Sequence, residues 1–279
     1  MKVLDLEEIQ TAEQILRRHL PKSSKVHGYL IGLSRNKPST YEVVVDAWPD
    51  FTCVILRPDQ QNPNVSYYQR KVTLFCTETG LQVLKRMIAE EEAIDWSAHF
   101  MIGGLDMSLA PMVKEVAASK GVNVRYYTLV QLVVLSDPRD LPQLTDNRLE
   151  SRISSLTESH IDLVNKTWKF GGDEKGYNIV KNLIRNFPSY CIVDDSNQPV
   201  SWMLLYDYCA LGLLYTMPEH RGKGYAKTLI THMSKQLHAQ GYPVYCFIEE
   251  DNAASLRLFR SLGFTEHPSY RVAWFEFNY

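Results

Sequence analysis

The sequence predicts a mixed α/β (α+β) protein of two units, spanning 1–145 and 150–279 of a 279-residue chain. Three observations carry that expectation. From Arg152 onward, apolar periods of strand and helix type alternate in the order β-α-α-β-β-β-α-β-α-β. A glycine turn, Thr216-Met-Pro-Glu-His-Arg-Gly-Lys-Gly-Tyr-Ala226, joins the fourth strand to a helix. A second helix, Asn252 to Leu262, opens on an Asn cap and stops at Gly263.

In chain order, Leu4 to Leu16 reads as an amphipathic helix ending before Pro21. Lys25 to Leu33 alternates weakly and reads as a strand. Tyr41–Trp48 and Phe51–Leu56 are β-rich around Pro49-Asp50 and form a hairpin. Val72–Cys76 is a strand, Gly80–Glu91 a helix with Leu81, Leu84 and Ile88 on one face, Leu109–Lys120 a helix and Val122–Leu135 a strand. Ser136–Pro142 has linker composition. Arg152–Leu156 is then a strand, and Thr157, with His160 at N3, caps a helix through Trp168 that Gly171-Gly172 ends. Tyr177–Phe187 is helical, Ser189–Val193 and Val200–Tyr206 make a hairpin, and Ala210–Tyr215 leads into the glycine turn. A helix closed by Gly241, the strand Pro243–Ile248, the Asn252 helix and a last strand Tyr270–Phe277 complete the order.

Composition narrows the function classes. Hydrophobic residues are 45% and charged residues 22%, as in ordinary globular proteins. A net charge of −2 gives no reason to expect a nucleic-acid partner. No apolar run approaches the ~20 residues of a membrane span. Five scattered cysteines in apolar surroundings suit reduced thiols in an intracellular compartment, and no Cys/His spacing calls for a metal. Asp5, Glu7, Glu8 and Glu13 argue against a basic presequence at the N-terminus.

The glycine turn carries the chemistry. Gly222 and Gly224 allow close approach of a ligand and leave backbone amides unpaired at a helix start, which suits a diphosphate. Arg221-x-x-Gly224-x-Ala226 resembles the pyrophosphate signature of the GNAT superfamily of acetyl- and acyltransferases, and Asn252-Ala-Ala-Ser-Leu-Arg-Leu-Phe259-x-x-x-Gly263-Phe264 resembles its second motif. The resemblance implies a GNAT fold in the C-terminal half and coenzyme A, as acyl-CoA, held by Thr216, Met217, Arg221, Gly222, Lys223, Gly224, Tyr225, Ala226, Asn252 and Phe259. The N-terminal half is either a degenerate repeat of that fold or an unrelated α+β domain.

Residues in both halves are more particular. Val44-Val-Asp46-x-Trp48-Pro-Asp-Phe51, Leu163-Val-Asn-Lys-x-Trp168-x-Phe170-Gly-Gly172-x-Glu174, Phe187-Pro, Pro199-Val-x-Trp202 and Thr216-Met-Pro-Glu-x-Arg221 resemble the glycine N-acyltransferase family. The resemblance implies acyl transfer from acyl-CoA to the amino group of glycine or another small amine. It also implies a mitochondrial location, with the cytoplasm as the alternative. A monomer is expected.

The family's general base, six positions before Thr216, is here Ala210, and the Tyr that serves many GNAT enzymes as acid is Phe259. An oxyanion donor is expected from the backbone near Thr216 or Met217. Three readings stay open: a neighbour such as Asp207, Tyr208, Glu249 or Glu250 substitutes as base, positioning and water suffice, or the protein binds acyl-CoA without turnover. Acetylation of a protein or polyamine amine is a further alternative. Lys166, Arg185 and Arg271 are the candidate cations for an acceptor carboxylate.

Overall fold

A computed structural model describes residues 1–59, 70–90, 93–137, 139, 141–142 and 147–279. The chain divides into two compact units, Met1–Leu132 with His267–Tyr279, and Val133–Glu266.

The first unit holds β1 (Lys2–Val3), α1 (Leu6–Leu16), α2 (Ser24–Ser34), β2 (Tyr41–Val45), β3 (Cys53–Pro58), β4 (Lys71–Cys76), α3 (Leu81–Ala89), β5 (Phe100–Asp106), α4 (Ala110–Ser119) and most of β6 (Val124–Val134). The second holds α5 (Asn147–Glu150), β7 (Ile153–Ser154), α6 (Ile161–Thr167), α7 (Glu174–Asn186), β8 (Ser189–Val193), β9 (Pro199–Leu205), β10 (Leu211–Thr216), α8 (Tyr225–Ala239), β11 (Tyr245–Glu249) and α9 (Ala253–Arg260). β12 (Thr265–Phe277) leads back into the first.

Within the first unit β2, β3 and β4 pair antiparallel and β4 pairs parallel with β5 at Lys71↔Met101. Within the second, β7 to β10 pair antiparallel and β10 pairs parallel with β11 at Leu211↔Cys246. From β1 to β6 and again from β7 to β12 the chain therefore follows one element order, β-α-α-β-β-β-α-β-α-β. The two runs differ where β4 and β10 hand over to a helix. In the first unit the connection is only residues 77–80, and a Cβ at Gly80 would stand 2.7 Å from the Thr52 carbonyl. The Thr77 amide donates to that same carbonyl at 2.8 Å, so the turn is filled by its own hairpin. In the second unit the connection is residues 217–224 and stays open.

The described elements differ from the sequence reading in three places. Lys25–Leu33 is the body of α2, not a strand. Every residue from Ser24 to Gly32 is buried, so no polar face marks the helical period. The strand β5 was not foreseen because Gly103-Gly104 reads as a break; a Cβ at Gly103 would lie 2.6 Å from the Lys25 Nζ, which donates to the Gly103 carbonyl. Finally, His267–Tyr279, expected with the second half, falls in the first unit. β12 pairs antiparallel with β5 from Val272↔Asp106 to Phe277↔Phe100, and Phe277 stacks on Phe100, so burial of this strand's face holds it in the first unit. The linker residues Pro138 and Asp140, and the helix end at Glu91, lie outside the described residues.

The expected Thr157–His160 capping box forms on the 3-10 turn Glu158–His160 that leads into α6. The Thr157 amide donates to His160 Nδ1 at 3.0 Å, which needs a neutral imidazole. Burial lowers the pKa of His160, of His232 and of His27, the last against the pull of Glu13 at 3.2 Å. Each histidine is thus more acidic folded than unfolded, where it titrates near about 6.5. Their stabilisation is present above that value and is lost as the pH falls through it toward the folded pKa. Urea unfolding at about pH 7.5 and about pH 5.5 is expected to give lower stability at the acid value.

Candidate active site

β10 is not a regular strand. Gly212 opposes Leu204, yet Tyr215 opposes Trp202, so Leu213 and Leu214 together face Met203. Leu213 takes a positive φ of 48° to make this bulge, an unfavourable conformation for leucine. On its other side β10 meets β11 at Leu211↔Cys246 and the pairing goes no further. A bulged strand parting from its parallel neighbour leaves backbone groups unpaired at the opening. Three residues beyond the Leu211–Cys246 pair, on β11, stands Glu249, level with the bulge.

Downstream of β10 the chain turns into α8. Gly222 and Gly224 have φ of 75° and 82°. Gly224 is the N-cap of α8, and no side chain caps that end. The first intrahelical bond runs from the Thr228 amide to the Gly224 carbonyl at 3.1 Å, so the Tyr225, Ala226 and Lys227 amides precede the helical ladder. Nothing lies within 4 Å of a Cβ built on Gly222. Arg221 reaches back to the Thr216 carbonyl at 3.1 Å and stands 5.8 Å from the Tyr215 ring; Lys223 is exposed. Open amides, two cations and the positive end of a fifteen-residue helix suit a diphosphate.

A second group of side chains covers the split between β10 and β11. Tyr206 lies flat across Gly212, where a Cβ would meet its ring at 2.0 Å, so no side chain fits at 212. Its ring stacks on Tyr208 at 5.0 Å, and the Tyr245 hydroxyl donates to the Tyr208 carbonyl. Tyr245, Phe247 and Glu249 alternate along β11 and so share one face. Burial raises the Tyr206 pKa well above the ordinary phenol value; the Trp168 indole bonded to its oxygen works against that, and Asp207 and Glu249 add to it. Tyr206 therefore keeps its proton.

Trp168 and its neighbours come from the loop between α6 and α7. Buried Asn165 shapes this loop: its Oδ1 accepts from the Gly172 amide at 3.0 Å and its Nδ2 donates to the Asp173 carbonyl at 3.1 Å. A Cβ on Gly171 would meet the Asn165 carbonyl at 2.3 Å, which accounts for the glycine. The loop sets Lys169 so that its Nζ contacts both Glu249 oxygens, at 2.8 and 2.7 Å. Phe170, 5.3 Å below that ammonium, is 55% exposed.

Not every residue singled out in the sequence reaches this site in the expected role. The Met217 amide donates to the Val200 carbonyl at 2.9 Å, while the bulge at Leu213–Leu214 interrupts the ladder. Thr216 Oγ1 is held 2.8 Å from Ser201 Oγ. Tyr225 is buried beside His220. Asn252 caps α9 by accepting from the Ser255 amide, and Phe259 is a core ring, 4% exposed and edge-on to Phe264 at 5.0 Å. Ala210 is 1% exposed and its carbonyl accepts from the Tyr206 amide, so a carboxylate there would be buried. Asp207 sits in that same closed turn, before β10 begins. Of the candidate cations, Arg185 is paired with Glu158, Arg271 donates to carbonyls of the first unit, and Lys166 is an exposed residue of α6. Lys169 was missed, although it stands inside the Trp168–Gly172 motif. Burial raises the thiols of Cys53 to about 12, of Cys76 and Cys191 to about 11, and of Cys246 further, which disfavours the thiolate at these four positions.

A parted parallel pair beside an open glycine turn, in this element order, defines a GNAT-type acyltransferase. A crystal structure of a Drosophila protein superposes with a TM-score of 0.77 over 99% of this chain and 97% of that one, at 18% identity. A tandem GNAT protein from the clavulanic acid biosynthesis pathway superposes with a TM-score of 0.53 over 98% of this chain and 96% of its own, at 13% identity. Both halves of the chain thus have the GNAT fold, which decides between the two readings of the N-terminal half. The family profile for aralkyl acyl-CoA:amino acid N-acyltransferase matches residues 1–188, and that for FR47-like protein matches residues 190–273. Glycine N-acyltransferase of Bos taurus is 28% identical over 95% of each chain. The chain belongs to the aralkyl acyl-CoA:amino acid N-acyltransferase family, and is an enzyme of the acyl-CoA:amino acid N-acyltransferase class.

Proposed function

We propose that the protein joins the acyl group of an acyl-CoA to the amino group of glycine or a similar small amine, by direct transfer in a ternary complex. The observation that carries this reading is the open glycine turn at α8 beside the parted strands β10 and β11, set in a chain of this family. In this reading the coenzyme A diphosphate sits on the amides of Tyr225, Ala226 and Lys227, with Arg221 and Lys223 beside it. The thioester then lies at the split, next to the bulge.

The amine must lose a proton before it attacks. Glu249 is the residue we assign as base. It stands level with the bulge, on the face that Tyr206 covers, whereas Asp207 is set in the turn ahead of β10. The amine nitrogen bonds to the thioester carbon, the C–S bond breaks, and the thiolate leaves as coenzyme A. One ammonium proton passes to Glu249 and on to water before the attack, and the second, released from nitrogen as the amide forms, goes to the departing thiolate. A location in mitochondria and a monomeric state belong to the same proposal, on family resemblance.

The competing reading, an acyl-CoA-binding protein without turnover, draws on Ala210 and Phe259, both packed in the core. Mass spectrometry of reactions with benzoyl-, acetyl- and long-chain acyl-CoA, with and without glycine, separates the two. An acylglycine product is expected. Binding of acyl-CoA without product from any amino acid would leave the binding reading in its place.

A further inference from the structure

From the clasp between Lys169 and Glu249 we infer that this ion pair is the recognition site for a zwitterionic α-amino acid, Lys169 taking its carboxylate and Glu249 its ammonium. The inference rests on the transfer reading above and deepens it by naming the residues that hold the acceptor's two charges. An amino acid carries one negative and one positive group a few ångströms apart, and Lys169 and Glu249 present the opposite pair at 2.7 Å.

The pair is placed for this role. Glu249 ends β11 level with the bulge, and Lys169 is delivered across eighty residues of sequence by a loop that Asn165 clamps. The Lys169 side chain is 64% exposed and that of Glu249 21%, so solvent reaches the cation and an incoming carboxylate can replace its partner. Phe170 lies 5.3 Å from the Lys169 ammonium, and Tyr206, bonded by the Trp168 indole, is near enough to Glu249 to feel its charge. The other cations proposed from sequence lie elsewhere: Arg185 pairs with Glu158 in the turn before α6, Arg271 donates to carbonyls of the first unit and Lys166 belongs to α6, whereas Lys169 meets a residue of β11. The polar groove lined by Ser154, Thr157, His160 and Gln198 has its imidazole Nδ1 taken by the Thr157 amide and offers no cation.

Glycine, glycinamide and the Lys169→Ala and Lys169→Arg variants test the assignment in the full chain. Glycinamide has the amine but no carboxylate. Lys169→Ala is expected to raise the KM for glycine about ten- to a hundredfold, the worth of a hydrogen bond to a charged group, with the KM for acyl-CoA little changed. Glycinamide should show no such rise, and Lys169→Arg should restore most of the glycine affinity. An equal rise for glycine and glycinamide, or no rise for either, overturns the inference. Calorimetric titration of glycine in the presence of CoA supplies a readout independent of turnover. Should wild type release no thiol yet bind glycine through Lys169, the transfer reading fails and this inference stands. Wild type that binds no glycine in either assay overturns it.

Discussion

Gly224→Val is expected to reduce CoA affinity by at least about a hundredfold, measured by calorimetry, with the fold retained. Gly224 holds φ at 82°, a conformation that a β-branched residue resists at a cost of about 1–3 kcal/mol. Relief of that strain rotates the peptide planes that open α8 and turns the Tyr225 and Ala226 amides away from the ligand. The valine also covers the approach that glycine leaves clear. Losing two charge-assisted hydrogen bonds of about 1.5–3 kcal/mol each gives the expected factor. Circular dichroism and melting separate this from unfolding, since the surrounding turn is exposed and its side chains pack on little. Unchanged CoA affinity in a folded variant would remove the turn from the account.

Glu249→Gln is the second large effect. It keeps the shape of the side chain and removes its capacity to accept a proton, so kcat should fall about 100- to 10,000-fold while CoA affinity holds. Asp207→Asn should leave kcat close to wild type, because that carboxylate belongs to the closed turn before β10. The reverse ranking of the two variants would move the base to Asp207. Neither variant lowering kcat would favour positioning and water as the source of rate.

The parts of this molecule that are local in sequence were legible there. The glycine turn, the capped helices α6 and α9 and the β2–β3 hairpin each depend on residues within a few positions of one another, and their spacing survives in one dimension. Elements without a wet face were not. α2 is buried on all sides, and β5 carries two glycines that make room for Lys25. Partnerships across long separations were also hidden. β12 leaves the second unit to pair with β5, and Lys169 meets Glu249, because of burial and charge that no local pattern records. The absence of side-chain catalysts at Ala210 and Phe259 was visible in the sequence. Their burial, and the Tyr206 ring laid over Gly212 close by, required the coordinates.

The most direct measurement is release of free CoA thiol by wild type and Gly224→Val, with a panel of acetyl-, benzoyl- and long-chain acyl-CoA, with and without glycine. The account predicts release that needs glycine and an intact turn together, with the favoured acyl-CoA naming the acyl class. Release that proceeds equally without glycine, or that survives in Gly224→Val, would contradict it.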